Sequence, residues 1–138
     1  MQLVTDKANQ RPVIWQWLNK RINLPWSTDL RTMAVMRKDS SIACAVAYNC
    51  WTQKTCWMHV AFDGPHGLKR SLWRAAFHYP FVTVGLDAVY GLTPKRFEEA
   101  LRMNKRLGFC QIAETSDCFI LEMKAIECPW LEGVKHGR

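Results

Sequence analysis

The sequence predicts a mixed α+β (α/β) domain, and three observations predict it. Ile42–Trp51 and Cys56–Phe62 are apolar runs of strand length. The turn Asp63-Gly64-Pro65-His66-Gly67, which no strand or helix would tolerate internally, joins the second run to a helix-periodic stretch. Helix-like and strand-like segments then alternate, in the order helix, strand, strand, strand, Gly-turn, helix, strand, helix, strand, strand. That order mixes antiparallel neighbours with crossovers.

Taken from the N-terminus, residues 11–22, RPVIWQWLNKRI, place Val13, Trp17 and Ile22 near one face of a short amphipathic helix. Pro25 ends it, and Ser27-Thr28-Asp29 marks a loop or a new helical cap. Arg31–Arg37 reads as a strand closed by the turn Lys38-Asp39-Ser40-Ser41. Ile42–Trp51 is apolar on both faces and suits a central strand; after the break Thr52–Thr55, Cys56–Phe62 is another such strand. Leu68–Tyr79 carries Leu68, Leu72, Ala75, Ala76 and Tyr79 at helical spacing, and Pro80 stops it. Asp87–Leu92 is a short strand. Thr93 then reads as an N-cap, Pro94 as the first helical residue, and Glu98 and Glu99 suit the early turns. That helix runs to Leu107 with Phe97, Ala100, Leu101 and Asn104 on one stripe, and Gly108 terminates it. Two strands close the order, Cys110–Glu114 and Cys118–Ala125, around Thr115-Ser116-Asp117. In the second, Phe119, Leu121 and Met123 alternate with Ile120, Glu122 and Lys124, so one face is wet.

Composition bounds the function classes. The 138 residues fit one domain, 1–138, and 49% hydrophobic content with seven Trp excludes a disordered tail. The N-terminal stretch lacks the continuous apolar run of a signal peptide, and nothing approaches the ~20 apolar residues of a membrane helix, so a soluble cytoplasmic protein is expected. The six cysteines form no C-x-x-C, and no His stands at zinc-finger spacing from a pair; no metal site is expected. Cys44, Cys50 and Cys56 sit in apolar or aromatic sequence and read as buried free thiols. Trp15, Trp17, Trp57 and Trp73 fall at core-like positions, while Trp26, Trp51 and Trp130 are freer.

A net charge of +7 and a pI near 9.3 favour anionic partners. Eight basic residues lie between Lys69 and Arg106 (Lys69, Arg70, Arg74, Lys95, Arg96, Arg102, Lys105, Arg106), against Asp87, Glu98 and Glu99. No 5–8-residue basic tract occurs, and two solvated helix faces account for most of the pattern. Nucleic acid is an admissible partner on this balance but not the favoured one.

A strand that runs through glycines into a helix N-terminus can hold a phosphate. The N–H groups of the first helical turn lack partners, and the macrodipole adds about half a positive charge there. Gly67-Leu68-Lys69-Arg70-Ser71 opens the helix here, with a glycine, two cations and a hydroxyl. Neither the P-loop pattern nor G-x-G-x-x-G is present, and an ordinary connecting turn is the competing reading.

The order of elements, this turn and the segment Ala100–Phe109, ALRMNKRLGF, together resemble the GNAT-superfamily N-acetyltransferases. Arg106-Leu107-Gly108-Phe109 matches the K-L-G-F-like end of that family's last helix. Ala76–Leu92, AFHYPFVTVGLDAVYGL, resembles its small phage-encoded members. The resemblance spans roughly Trp57–Met123. It implies a central mixed sheet flanked by helices and acetyl-CoA as co-substrate. It also implies acyl transfer to an amine, an acceptor that is a protein or a small molecule, and the option of a homodimer; no membrane is involved. By resemblance, the main chain at Val60, Ala61 and Phe62 would bond the pantetheine arm and the N–H groups of Gly67, Leu68, Lys69, Arg70 and Ser71 the pyrophosphate. Arg70 or Arg74 would approach a coenzyme phosphate. The family loop is written Q/R-x-x-G-x-G/A; with Gly67 as its middle glycine, Gly64 and Lys69 depart from it.

Many members carry a tyrosine five residues before the Phe of G-F, where it protonates the departing thiolate. Asn104 stands there, a hydrogen-bonding amide with no acidic proton. The acceptor amine must also lose a proton, and His59 is the best-placed base, with a buried, hydrogen-bonded strand histidine as its competing reading. Surface or capping roles suit His66 and His78. The rival to an enzyme is a catalytically inactive GNAT-fold binding protein acting on a host protein or nucleic acid.

Overall fold

In a computed structural model of the chain, residues 2–6, 12–64 and 70–131 are described. Strand β1 (Gln2–Val4) precedes helix α1 (Val13–Ile22), strands β2 (Arg31–Met36), β3 (Ile42–Asn49) and β4 (Thr55–Phe62), and helix α2 (Arg70–His78). Strand β5 (Ala88–Pro94), helix α3 (Glu98–Leu107) and strands β6 (Cys110–Glu114) and β7 (Cys118–Lys124) follow. The seven strands form a sheet in the order β1-β2-β3-β4-β5-β7-β6. Its β4–β5 pair is parallel, and β1–β2, β2–β3, β5–β7 and β6–β7 are antiparallel. The class is mixed α+β, as the sequence predicts. By contacts the chain divides into two compact units, Met1–Trp51 with Met58–Ala76, and Thr52–Trp57 with Phe77–Arg138.

In the first unit, Ile42–Tyr48 is buried without a break, so β3 is covered on both faces. β4, whose residues Thr55–Trp57 belong to the second unit and Met58–Phe62 to the first, is different: its burial alternates from Thr55 to His59, leaving Trp57 and His59 half-buried. α1 packs through Ile14 and Leu18 into a core with Leu24, Leu30, Ala34, Ala45 and Ala61. The face expected from Val13, Trp17 and Ile22 is therefore displaced by one residue; Val13 and Ile22 are 53% and 37% exposed. The Asp6 carboxylate accepts from the main-chain N–H of Ile14 (3.0 Å) and Trp15 (3.1 Å) and so satisfies the start of the helix. Strand β1, which three residues are too short to announce, pairs with β2 from Gln2↔Met36 to Val4↔Ala34.

In the second unit the β5–β7 ladder runs through seven pairs, from Ala88↔Lys124 to Pro94↔Cys118. It absorbs Thr93 and Pro94, so neither caps α3. The turn Pro94–Phe97 comes next, and α3 begins at Glu98 with Phe97 at the N-cap and no side-chain cap bond. Of the expected stripe on α3, Phe97 is 48% exposed and Ala100, Leu101 and Asn104 are half-buried, while the helix's buried residue is Leu107, outside that stripe. Pro80 does not stop the preceding helix. The chain widens into a π-helical segment, Tyr79–Val84, ended by Gly85 at φ +88°. A proline ring clashes with the carbonyl four residues back, and a wider turn relieves that contact. Gly108 terminates α3 at φ +119°, as expected.

All six cysteines are free thiols, but only Cys44, Cys56 and Cys128 are buried. Cys50, expected inside, is exposed at φ +54°, because β3 ends one residue before it. Burial pushes the Cys44 thiol up to about 12, so it is inert at neutral pH. Among the described residues no helix is long and apolar enough to cross a membrane.

Candidate active site

His59 and Asn49 belong to the neighbouring strands β4 and β3, and His59 Nε2 lies 2.8 Å from Asn49 Oδ1. An amide oxygen only accepts, so this bond puts the ring proton on Nε2 and leaves a lone pair on Nδ1. Burial pulls the imidazole below its ordinary pKa, which keeps the ring neutral at neutral pH. A neutral, oriented imidazole with one free nitrogen is the state a general base requires.

Four residues beyond His59, just past the end of β4, the chain is pinned from another strand end. Arg37 Nη2 donates to the Asp63 carbonyl (2.7 Å) and its Nη1 to the Asp63 carboxylate (3.0 Å), while Asp63 N–H donates to the Ala43 carbonyl (2.8 Å). Gly64 follows at φ +86°, where a side chain would be strained. Phe62 meets Trp73 of α2 edge-on, ring centroids 5.7 Å apart, which seats the helix on the end of the strand. Arg70 and Ser71 open α2 exposed, Arg74 is exposed one turn on, and the first turn holds no acid. That helix end suits an anion.

The β4–β5 ladder comprises Thr55↔Ala88, Cys56↔Val89 and Trp57↔Tyr90. β4 continues to Phe62, so the main chain of Val60, Ala61 and Phe62 lies beyond those pairs. The predicted residues His59, Val60, Ala61, Phe62, Arg70, Ser71 and Arg74 all belong to the first unit. Gly67, Leu68 and Lys69, and with them His66, lie outside the described residues. Asn104 belongs to the second unit, where its Nδ2 donates to Thr93 Oγ1 at 2.9 Å. Thr93 is 3% exposed, so this bond satisfies a buried hydroxyl.

Three residues with evident roles carried no signal that singled them out. Asn49 is a polar residue closing an apolar strand, Thr93 has the composition of a cap, and Arg37 borders a turn. Each acts through a partner distant in sequence, which no local pattern reveals.

Solved structures resemble this architecture along nearly its whole length. A mutant form of the spermidine N-acetyltransferase SpeG from Vibrio cholerae superposes with a TM-score of 0.75, covering 96% of this chain and 98% of that one at 13% identity. The N-acetyltransferase PseH from Campylobacter jejuni does so with a TM-score of 0.65, covering 89% and 96% at 16% identity. PseH in complex with acetyl coenzyme A gives 0.63, covering 89% and 99%. The fold is that of the GNAT acyltransferases. No protein-family model and no curated protein sequence matches the chain. Within the GNAT fold, ALRMNKRLGF forms the C-terminal part of α3 and its glycine terminus.

Proposed function

We propose that the chain is an acetyl-CoA-dependent N-acetyltransferase of the small phage-encoded type, one GNAT-like domain over residues 1–138 acting in a cytoplasm. The likeness of nearly the whole chain to N-acetyltransferases supports the reading. The main chain of Val60–Phe62, lying beyond the β4–β5 pairs, suits extension by the amides of a pantetheine arm. The α2 N-terminus with Arg70, Ser71 and Arg74 suits the coenzyme phosphates, together with Gly67, Leu68 and Lys69 ahead of it.

In the transfer, His59 Nδ1 takes the proton that the acceptor amine sheds as its nitrogen bonds the thioester carbonyl carbon. The C–S bond then breaks, and the thiolate leaves. Asn104, which stands in sequence where many members of the family carry the acid, has no acidic proton to give it. Solvent supplies the final proton.

Calorimetry with acetyl-CoA is the deciding experiment. Micromolar binding, and its loss in Gly67→Asp, which sets a carboxylate against the pyrophosphate, would support the reading. No heat at millimolar acetyl-CoA would sink it. The fold would then serve as a binding protein, a reading that Asn104 in the place of an acid favours.

A further inference from the structure

Charge is divided unequally between the two units. The first, Met1–Trp51 with Met58–Ala76, holds ten lysines and arginines against four aspartates and no glutamate, so it carries +6 of the chain's +7. Its four aspartates are spent on the fold. Asp6 accepts from the start of α1, and Asp29 from the Ser27 hydroxyl and the Cys50 N–H. Asp39 accepts from the Ser41 hydroxyl and N–H, and Asp63 from Arg37. Only the last of these is an ion pair. Lys20, Arg21, Arg31, Lys38, Arg70 and Arg74 are exposed and make no ion pair among the described residues. The proposed coenzyme phosphates account for Arg70 and Arg74 alone.

Part of the remaining charge stands on the helix that shares a sheet face with His59. Ala45, Ala47 and Ala61 pack in one core with Ile14 and Leu18 of α1. Alternate strand residues share a face, so Asn49 on β3 and His59 on β4 stand on the face that α1 covers. From Val13 through Arg31 the charged residues are Lys20, Arg21, Asp29 and Arg31, three cations against one engaged acid. Lys20 and Arg21 occupy the last turn of the helix. The Arg21 guanidinium is fixed over the Trp17 ring, 3.8 Å from its centroid, and gives an Nη1–H to the Trp17 carbonyl (3.3 Å). Its other N–H groups have no hydrogen bond among the described residues and can meet an anion. We propose that the acceptor is an amine carrying its own anionic group, a carboxylate or a phosphate; this rests on the acetyl-transfer reading above. Lys20 and Arg21 draw the anionic group, His59 Nδ1 meets the amine, and a polycationic amine is repelled.

Matched amines test it on the full chain, with acetylated product read by mass spectrometry. Three share a four-carbon spacing: 4-aminobutanoate, 4-aminobutan-1-ol and 1,4-diaminobutane. Ethanolamine and its phosphate ester form the second set. At about 0.01 M salt, where the Debye length is about 30 Å, the anionic member of each set should show at least tenfold higher kcat/KM than the neutral one. The diamine should rank last, and whichever anionic amine leads tells carboxylate from phosphate. At about 1 M salt the preference should shrink to within twofold. The double variant Lys20→Gln, Arg21→Gln should lose the preference at low salt while its acetyl-CoA affinity, by calorimetry, stays within twofold of the parent; both positions are exposed, so the variant should stay folded. A diamine acetylated as well as 4-aminobutanoate, or an order unmoved by salt or by the double variant, would overturn the proposal. So would no transfer to any of these amines by a protein that binds acetyl-CoA. Each of these results leaves the coenzyme reading standing, whereas absent acetyl-CoA binding removes both.

Discussion

At the residue scale, the bond from His59 Nε2 to Asn49 Oδ1 does two things at once. It satisfies a partly desolvated ring, and it selects one tautomer. The folded imidazole has its pKa below the ordinary value, so the folded state binds fewer protons than the unfolded chain as pH falls. The stability this neutral ring contributes is complete above about pH 6.5 and is lost as pH falls from there to the folded pKa. His59→Gln should therefore lose less melting temperature than the parent on acidification below pH 6.5; parallel slopes would refute the assignment. Asn49→Leu should leave the acetyl-CoA affinity within twofold while nitrogen chemical shifts show His59 in mixed tautomers. Gly108 offers a sharper test of backbone. At φ +119° an added Cβ would stand 3.0 Å from both Met123 Cε and Pro129 Cδ. Gly108→Ala should cost about 2–3 kcal/mol of stability in chemical denaturation.

At the element scale, α3 is joined to β5 by the side-chain bond from Asn104 to Thr93, and to the 3-10 turn Pro129–Leu131 by Trp130 Nε1 donating to the Leu107 carbonyl at 2.8 Å. Thr93→Val removes the acceptor and leaves the Asn104 amide to seek water. A loss of about 1 kcal/mol is expected, read as a lower urea midpoint at unchanged slope. The same elements explain what the sequence could and could not disclose. β3, the β4 core, α2, the Gly108 terminus and both final strands were readable, because apolar period and turn chemistry agreed there. Thr93-Pro94 misled because a seven-pair ladder outweighs a local cap signal, and Pro94 sits at the end of its strand, where a missing N–H costs least. Pro80 misled because a helix can widen as well as stop. The α1 face shifted by one residue because Ile14 and Leu18, four apart on one side of the helix, are the pair that enters the core. His59 was readable as a candidate, whereas its partner, ten residues earlier on another strand, was not.

At the scale of the whole molecule, charge and burial set behaviour that no single site explains. A protein of net charge +7 should bind an anionic coenzyme more weakly as salt rises, since the Debye length falls from about 10 Å at 0.1 M to about 3 Å at 1 M. The acetyl-CoA affinity should drop severalfold over that range; no change would mean that the coenzyme phosphates meet no cations. β3 carries a cost of another kind. The property that makes it a good central strand, seven consecutive buried residues from Ile42 to Tyr48 with neither charge nor proline, also makes it a hazard whenever it is exposed. A ribosome-bound or heat-opened chain presents IACAVAY as a ready template for cross-β stacking, with charge only outside the strand, at Lys38 and Asp39 before it and Lys54 after it. The isolated segment should form thioflavin-binding fibres, and the soluble yield of the protein should follow how quickly β2 and β4 enclose this strand rather than how stable the finished fold is.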